Sequence, residues 1–351
     1  MLKRCILYCG VLLVYACTFQ NREPVDIPVT PRDTSITVSN AFTRLLLDTA
    51  TVQSFLTDSH LSDSLARLVT NFYNSRNYQY AWFTEDGPSE QAKTFWNLYN
   101  QYVHYSRDTV LLNKPLHDRI NQIMTGDTAV QVSGTDIRSM ELQLTDLFFK
   151  YAISAYAGRI EPQELQWYIP RKKVDAIQLL DSLIETKGNS LSDWEPVNPQ
   201  YNLLKSKLLD YYTIEKNGGW DTIAIKKNVR LETGNADSLV ILIKQRLRTT
   251  GEYDNGDTTT LFTNELKEAV RLAQANSGLT PDGIIGAATL AELNIPVEQK
   301  IQTLLINMER MRWLPEQPDG IWIMANIPEF KLHVFENTTH LFDMKIVVGK
   351  A

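Results

Sequence analysis

Apolar positions recur three and four residues apart over most of the chain, and that period predicts helices. Phe42, Leu45, Leu46 and Thr49 give a short first pattern. Leu61, Leu65, Leu68, Val69 and Phe72 give a clearer second one, with Ser62 and Asp63 at its start. Phe95, Trp96, Tyr99, Tyr102 and Val103 form a third face. A long fourth runs through Met140, Leu144, Leu147, Phe148, Tyr151, Ala152 and Ala155 and stops at Gly158-Arg159-Ile160-Glu161-Pro162. Tyr201, Leu204, Leu208, Leu209 and Tyr212 precede the turn Asn217-Gly218-Gly219-Trp220.

The stretch from Asp237 to Pro315 organises the rest. Leu266, Val270 and Ala273 with Leu272 give helical spacing, with Lys267, Glu268 and Arg271 on the other face, and Asn276-Ser277-Gly278 stops the helix. Pro281 presets a turn, Gly283 suits a positive φ, and Gly286 suits a close backbone approach. Thr289 leads into a short helix through Leu293 that ends at Asn294-Ile295-Pro296. Pro296 opens a long amphipathic helix through Ile301, Leu304, Leu305, Met308 and Met311, closed by Trp313-Leu314-Pro315. The period then shortens to two. Strands are expected over Gly320 to Ile327, across Phe330, Leu332 and Val334, and from Leu341 to Val348, with a turn at Glu336 to Thr339. The fold class expected is mainly α, ending in a few strands.

With 351 residues the chain has room for two or three domains. Its 43% hydrophobic and 22% charged residues are ordinary for a globular protein, and the net charge of −6 argues against a general nucleic-acid binder. Lys3 and Arg4 precede an apolar run from Cys5 to Ala16 that is too short to span a bilayer, so residues 1–17 read as a signal peptide. The segment Leu13-Val14-Tyr15-Ala16-Cys17 resembles a bacterial lipoprotein box. It implies lipidation at Cys17, a membrane anchor, and a place in the periplasm or cell envelope; ordinary cleavage, suggested by the bulk of Tyr15, is the alternative. Residues 18–35, with Pro24, Pro28 and Pro31, read as an extended tether. All three cysteines, Cys5, Cys9 and Cys17, lie in the leader, so the body has no internal disulfide and no thiolate nucleophile.

Asp282, Gly283, Gly286 and Thr289 form a D-G-x-x-G-x-x-T motif after Ala269-Val270-Arg271. It resembles the small three-helix peptidoglycan-binding domain of cell-wall proteins, although Ala273 stands where those domains commonly carry Phe. Ile306-Asn307-Met308-Glu309-Arg310-Met311-Arg312-Trp313-Leu314-Pro315 resembles the N-L-E-R-x-R-W-L-P segment of large L,D-transpeptidases. Phe72-Tyr73-x-x-Arg76-x-Tyr78-x-Tyr80-x-Trp82, and the run from Leu144-Thr145-Asp146 through Gly158-Arg159 to Pro162, resemble the scaffold of those enzymes. Asn326-Ile327-Pro328-x-Phe330-x-Leu332-x-Val334 and Ile346 to Lys350 resemble the opening strands of their catalytic domain. The resemblance spans Phe72 to Lys350. It implies a helical scaffold over 36–236, a peptidoglycan-binding-like domain over 237–295, a connecting helix over 296–316 and an incomplete catalytic domain over 317–351. Such enzymes crosslink peptidoglycan through a Cys in S-H-G-C-R: the thiolate takes a donor stem as a thioester, and an acceptor amine resolves it. No S-H-G-C occurs here, so no catalytic residue carries over, and the chain alone is expected to be inactive, as if cut short before that motif. A non-catalytic peptidoglycan-binding envelope lipoprotein is the alternative.

Other chemistry finds little support. The aromatic runs suit helical cores better than glycan-stacking surfaces. Arg76 and Arg159 suit either substrate carboxylates or structural acids. His333 and His340 can face each other across the last hairpin, but the third ligand and Cys partners are missing, so a surface pair is expected and no metal. Glu161 and Glu164 read as solvated helix charges rather than a glycosidase pair. No cofactor motif occurs. Asp282, Gly283, Gly286 and Thr289 are expected to build the turn rather than touch glycan.

Overall fold

The computed structural model describes residues 28–125, 134–165, 172–189, 199–224, 228–314, 320–327 and 329–349. The leader, Cys17, residues 18–27 of the tether, Pro315, Pro328, Lys350 and Ala351 lie outside the described residues. The described residues are mostly helical. They form two compact units that part between Gln79 and Tyr80.

In the first unit, α1 spans Thr49–Asp58 and α2 spans Asp63–Ser75. The carboxylate of Asp48 accepts from Thr51 N at 2.7 Å, and the hydroxyl of Ser62 caps α2 through Leu65 N. The pattern Phe42 to Thr49 is not a helix. Leu46 bridges to Gln79, and Leu47 N donates to Tyr78 O at 2.8 Å, so those backbone groups are satisfied in extended form until Asp48 starts α1. The tether expectation also needs correcting from residue 28 onward. Thr30 N donates to Asn71 Oδ1 at 2.9 Å, while the Asn71 and Asn74 amides donate to Pro28 O and Thr30 O, each at 2.8 Å. Residues 28–33 are therefore laid along α2, because its Asn side chains offer the backbone pairing that an open tether lacks.

The second unit opens with a hairpin, β1 at Phe83–Thr84 and β2 at Gly87–Pro88, followed by α3 at Glu90–Ser106 and α4 at Lys114–Met124. Helix α5 covers Gly134–Tyr156, α6 Ala176–Glu185 and α7 Pro199–Lys216. The aromatic positions form the core. Trp82, Phe95, Phe148 and Tyr151 pack with ring centroids 5.1 to 6.4 Å apart, edge-on or tilted. The fully buried Glu141 accepts Ala81 N at 2.5 Å and Trp82 N at 3.0 Å, and Trp82 Nε1 donates to Thr145 at 2.9 Å. These bonds satisfy the polar edge of an otherwise apolar core. On α7 only part of the expected stripe is inside: Tyr201 and Leu208 are buried, but Leu209 is exposed, because α7 turns its other side to the last helix.

The wall-motif region contributes α8 at Leu239–Thr250, α9 at Asn264–Asn276 and α10 at Ala287–Leu293, and the last helix, α11, spans Val297–Trp313. The buried ends of α11 meet α7 and the loop after α5. Glu309 Oε1 accepts Arg159 N at 2.6 Å and Ile160 N at 3.1 Å, and Glu309 Oε2 pairs with Arg312 at 2.7 Å. Arg312 Nη2 then donates to Tyr201 Oη at 2.7 Å. Burial works against the Arg312 charge, but Tyr201, Tyr102, Tyr105 and Glu309 outweigh it and hold its pKa above the usual value. The conspicuous Glu-x-x-Arg-Trp run is thus a clamp between helices.

An antiparallel meander ends the described chain, in the order β3 (Ile321–Asn326), β4 (Lys331–Glu336) and β5 (Thr339–Lys345). The turn lies where the sequence placed it, with Glu336 opposite Thr339, but β5 starts earlier and stops at Lys345 rather than Val348. Among the described residues no helix is long and apolar enough to cross a membrane.

Candidate functional site

The core around the glycine motif draws on more chain than the motif itself. Ile223 and Leu231 join Leu239, Val240, Ile243, Phe262, Val270, Ile285 and Leu290 in one buried cluster. Leu231 and Ile285 exchange backbone bonds of 3.0 and 2.9 Å, and the Asn294 amide brackets both backbone groups of Ile223. Ala269, Val270 and Ala273 are inside, whereas Leu272 is half exposed, so the inward face of α9 excludes it. Lys244 has a fully buried side chain whose ammonium meets Asp257 at 2.6 Å and the carbonyls of Thr259 and Leu261, each at 2.8 Å. That converts a buried charge into a brace for the α8–α9 loop.

The four motif residues meet around Gln274, which the sequence reading did not single out. Its Nε2 donates to Asp282 Oδ1 at 2.9 Å, Ile284 O at 3.0 Å and Thr289 Oγ1 at 3.1 Å, and its Oε1 accepts Gly283 N at 2.9 Å. Asp282 Oδ1 also accepts Ile284 N at 2.9 Å. That backbone bond first, and Gln274 second, hold the Asp282 carboxyl below its usual pKa. Gly283 takes φ +74°, and a Cβ there would lie 2.6 Å from Lys267 Cγ. Gly286 differs from expectation: it is the N-cap of α10, and a Cβ there would meet nothing within 4 Å. Thr289 is buried inside α10 rather than ahead of it, because its hydroxyl reaches back to Ile284 O. The polar atoms of Asp282, Gly283 and Thr289 are engaged in holding the turn. A buried Gln paired in sequence with a D-G turn eight residues on was the signal available for Gln274.

Beside this turn lies a groove of about 440 Å³, walled by α7, α11 and the motif region. Leu204, Ala273, Leu293 and Leu304 give it apolar walls, and Lys207, Arg246, Lys300, Glu252 and Glu292 give it charge. Arg246 is buried, with its guanidinium 3.5 Å over the ring centroid of Trp220. Lys300 pairs with Glu292 across the rim. These residues come from separate helices, so no local spacing announces them.

The remaining candidates fall elsewhere. Arg159 pairs with Asp108 at 3.0 Å, and Arg76 Nε donates to Gln79 O at 3.0 Å, so both guanidinium groups serve the fold. His333 Nδ1 and His340 Nε2 meet Asp343 Oδ1 at 2.7 and 2.6 Å, and Glu329 takes His333 Nε2 at 3.0 Å. The ligand atoms of His333, His340 and Asp343 lie within 4.8 Å of one another, so Asp343 supplies the third ligand that the sequence did not show, at a spacing that can hold a metal ion, but Lys331 lies 3.9 Å from Asp343 and brings a competing positive charge. Hydrogen bonding to Asp343 raises the His333 pKa.

One pH effect follows from the brace on α8. Hydrogen bonding from Lys244, then from Thr259, lowers the Asp257 pKa from 3.8 to about 2. A depressed carboxylate contributes stability that is complete above the unfolded pKa and is lost as pH falls through the folded one. Unfolding followed by far-UV circular dichroism between pH 5 and pH 2 should show wild type losing stability most steeply below pH 4. Asp257→Asn should be weaker at pH 5 and flatter across that window. Parallel profiles would remove Asp257 from the brace.

Residues 67–208 match the family model described as "Scaffold domain", and residues 236–293 match the one described as "Putative peptidoglycan binding domain". No curated protein matches the chain. The helical body is thus similar to that scaffold domain, and the cluster around Gln274 lies within the stretch that matches the peptidoglycan-binding model. Together the matches mark the chain as peptidoglycan-associated, with peptidoglycan as its partner.

Proposed function

We propose that this chain is the scaffold and wall-binding part of an L,D-transpeptidase-type protein that crosslinks or remodels peptidoglycan. The observation that carries this reading is the pairing, in one chain, of a scaffold match with a peptidoglycan-binding match, followed by a helix whose Glu309, Arg312 and Trp313 are buried. The scaffold positions the module, the module holds the wall, and acyl transfer requires a Cys thiolate that these 351 residues do not supply beyond Cys17. The N-terminal leader supports an envelope location with the protein held by a lipid on Cys17. The second reading is a binding protein without catalysis, favoured by the confinement of all three cysteines to positions 5, 9 and 17.

Purified sacculi decide the shared part of both readings: the protein should sediment with them and should not release or form crosslinks by itself. Failure to sediment would overturn both. The intact mass of the protein recovered from envelope fractions then separates them. A mass well above 40.1 kDa, with a peptide running on to a Cys, fits the enzyme; the mass of the processed chain fits the binding protein.

A further inference from the structure

We propose that the groove between α7, α11 and the peptidoglycan-binding module takes the peptide stem of the wall rather than its glycan, with a stem carboxylate seated on Arg246. This rests on the wall-binding reading above. Arg246 is only 6% exposed. Its Nε donates to Leu293 O and its Nη1 to Thr250 Oγ1, both at 2.9 Å. Among the described residues its Nη2 has no hydrogen-bond partner, and no carboxylate comes within the 4.0 Å of an ion pair. Glu252 and Glu292 act on its charge only from beyond that distance, so a ligand carboxylate supplies Nη2 with a direct partner.

The rest of the groove fits the same ligand. Of its lining cations, Lys300 pairs with Glu292 and Lys207 lies 3.8 Å from Asp210, which leaves Arg246 as the one with no ion pair among the described residues. The aliphatic walls suit the methyl groups of short peptide residues. A neutral sugar would want an open aromatic face. The aromatic ring that lines the groove is Tyr211, and the Lys207 ammonium lies over its face at 5.5 Å, while Trp220 lies under Arg246. Lys207 and Tyr211 belong to α7 and Arg246 to α8, so the site exists only where the helical body and the module meet.

Calorimetric titration of the full chain with disaccharide-peptides, released from sacculi by a muramidase, tests this against the same disaccharides stripped of peptide by an amidase. The peptide-bearing fragment should bind and the stripped one should not. Arg246→Met and Lys207→Glu should each weaken binding by about tenfold. The Lys207 side chain is 44% exposed, so Lys207→Glu keeps its fold and stays decisive if Arg246→Met does not. Equal binding of stripped disaccharide would overturn the proposal, as would unchanged affinity in folded variants; in either case retention on sacculi would leave the wall-binding reading standing. Loss of sacculus retention by the wild type would instead remove that underlying reading.

Discussion

Glu309→Ala is expected to lower the unfolding free energy by about 3–5 kcal/mol, the cost of stripping one partner from a buried ion pair. Three groups lose their acceptor at once. Arg159 N and Ile160 N leave the α5 loop with orphaned donors, and Arg312 keeps its charge beside the neutral rings of Tyr201 and Tyr102. Glu309→Gln should recover part of this, because its amide oxygen still accepts from the backbone but carries no charge for Arg312. Gly158→Ala attacks the same clamp sterically. Gly158 has φ +78°, and a Cβ there would stand 2.6 Å from Glu309 Oε1 and 2.8 Å from Trp313 Nε1. The two losses share one clamp, so the double variant should fall short of their sum. Urea unfolding of the four variants and the wild type measures all of this. A change below about 1 kcal/mol for Glu309→Ala would mean that the clamp is a surface feature in solution.

This clamp shows what was legible and what was not. The spacing of Met308, Arg312 and Trp313 announced a helix with a conspicuous end, and the helix is there. What that end touches depends on Arg159 and Ile160, 150 residues earlier, and no local pattern reports contacts of that separation. Caps were legible because they are local: Ser62 sits one residue before α2 and uses its own hydroxyl. The pattern at Phe42 to Thr49 misled because four apolar positions cannot separate a short helix from an extended segment whose backbone is paired elsewhere. Gly286 was expected to allow a close approach, yet its surroundings are open; composition tells that a glycine is present, not which of its freedoms is used.

The groove was illegible for a related reason. Lys207, Arg246 and Lys300 each look like one charge on the outer face of a helix. They line one groove only because α7, α8 and α11 converge, and Arg312 ties α11 to Tyr201 of α7. Stability at Glu309 and binding at Arg246 are therefore linked: a variant that loosens α11 should weaken fragment binding without touching a lining residue.

The turn built on Gln274 gives the last test, and its glycines should part company. Gln274→Leu keeps the volume but removes four hydrogen bonds, leaving the buried Gly283 N–H without an acceptor. A loss of about 3 kcal/mol is expected, from one orphaned donor and the net value of the other bonds. Gly283→Ala should cost about 1–2 kcal/mol for its left-handed backbone, and more if the stem of Lys267 cannot move aside. Gly286→Ala should be near neutral: the backbone there has φ −109°, and nothing lies within reach of the new methyl. Thermal unfolding of the three variants checks the order. Equal damage at both glycines would mean that Gly286 serves something other than the turn. Wild-type stability in Gln274→Leu would mean that Asp282 and Thr289, through their own bonds to Ile284, hold the turn without it.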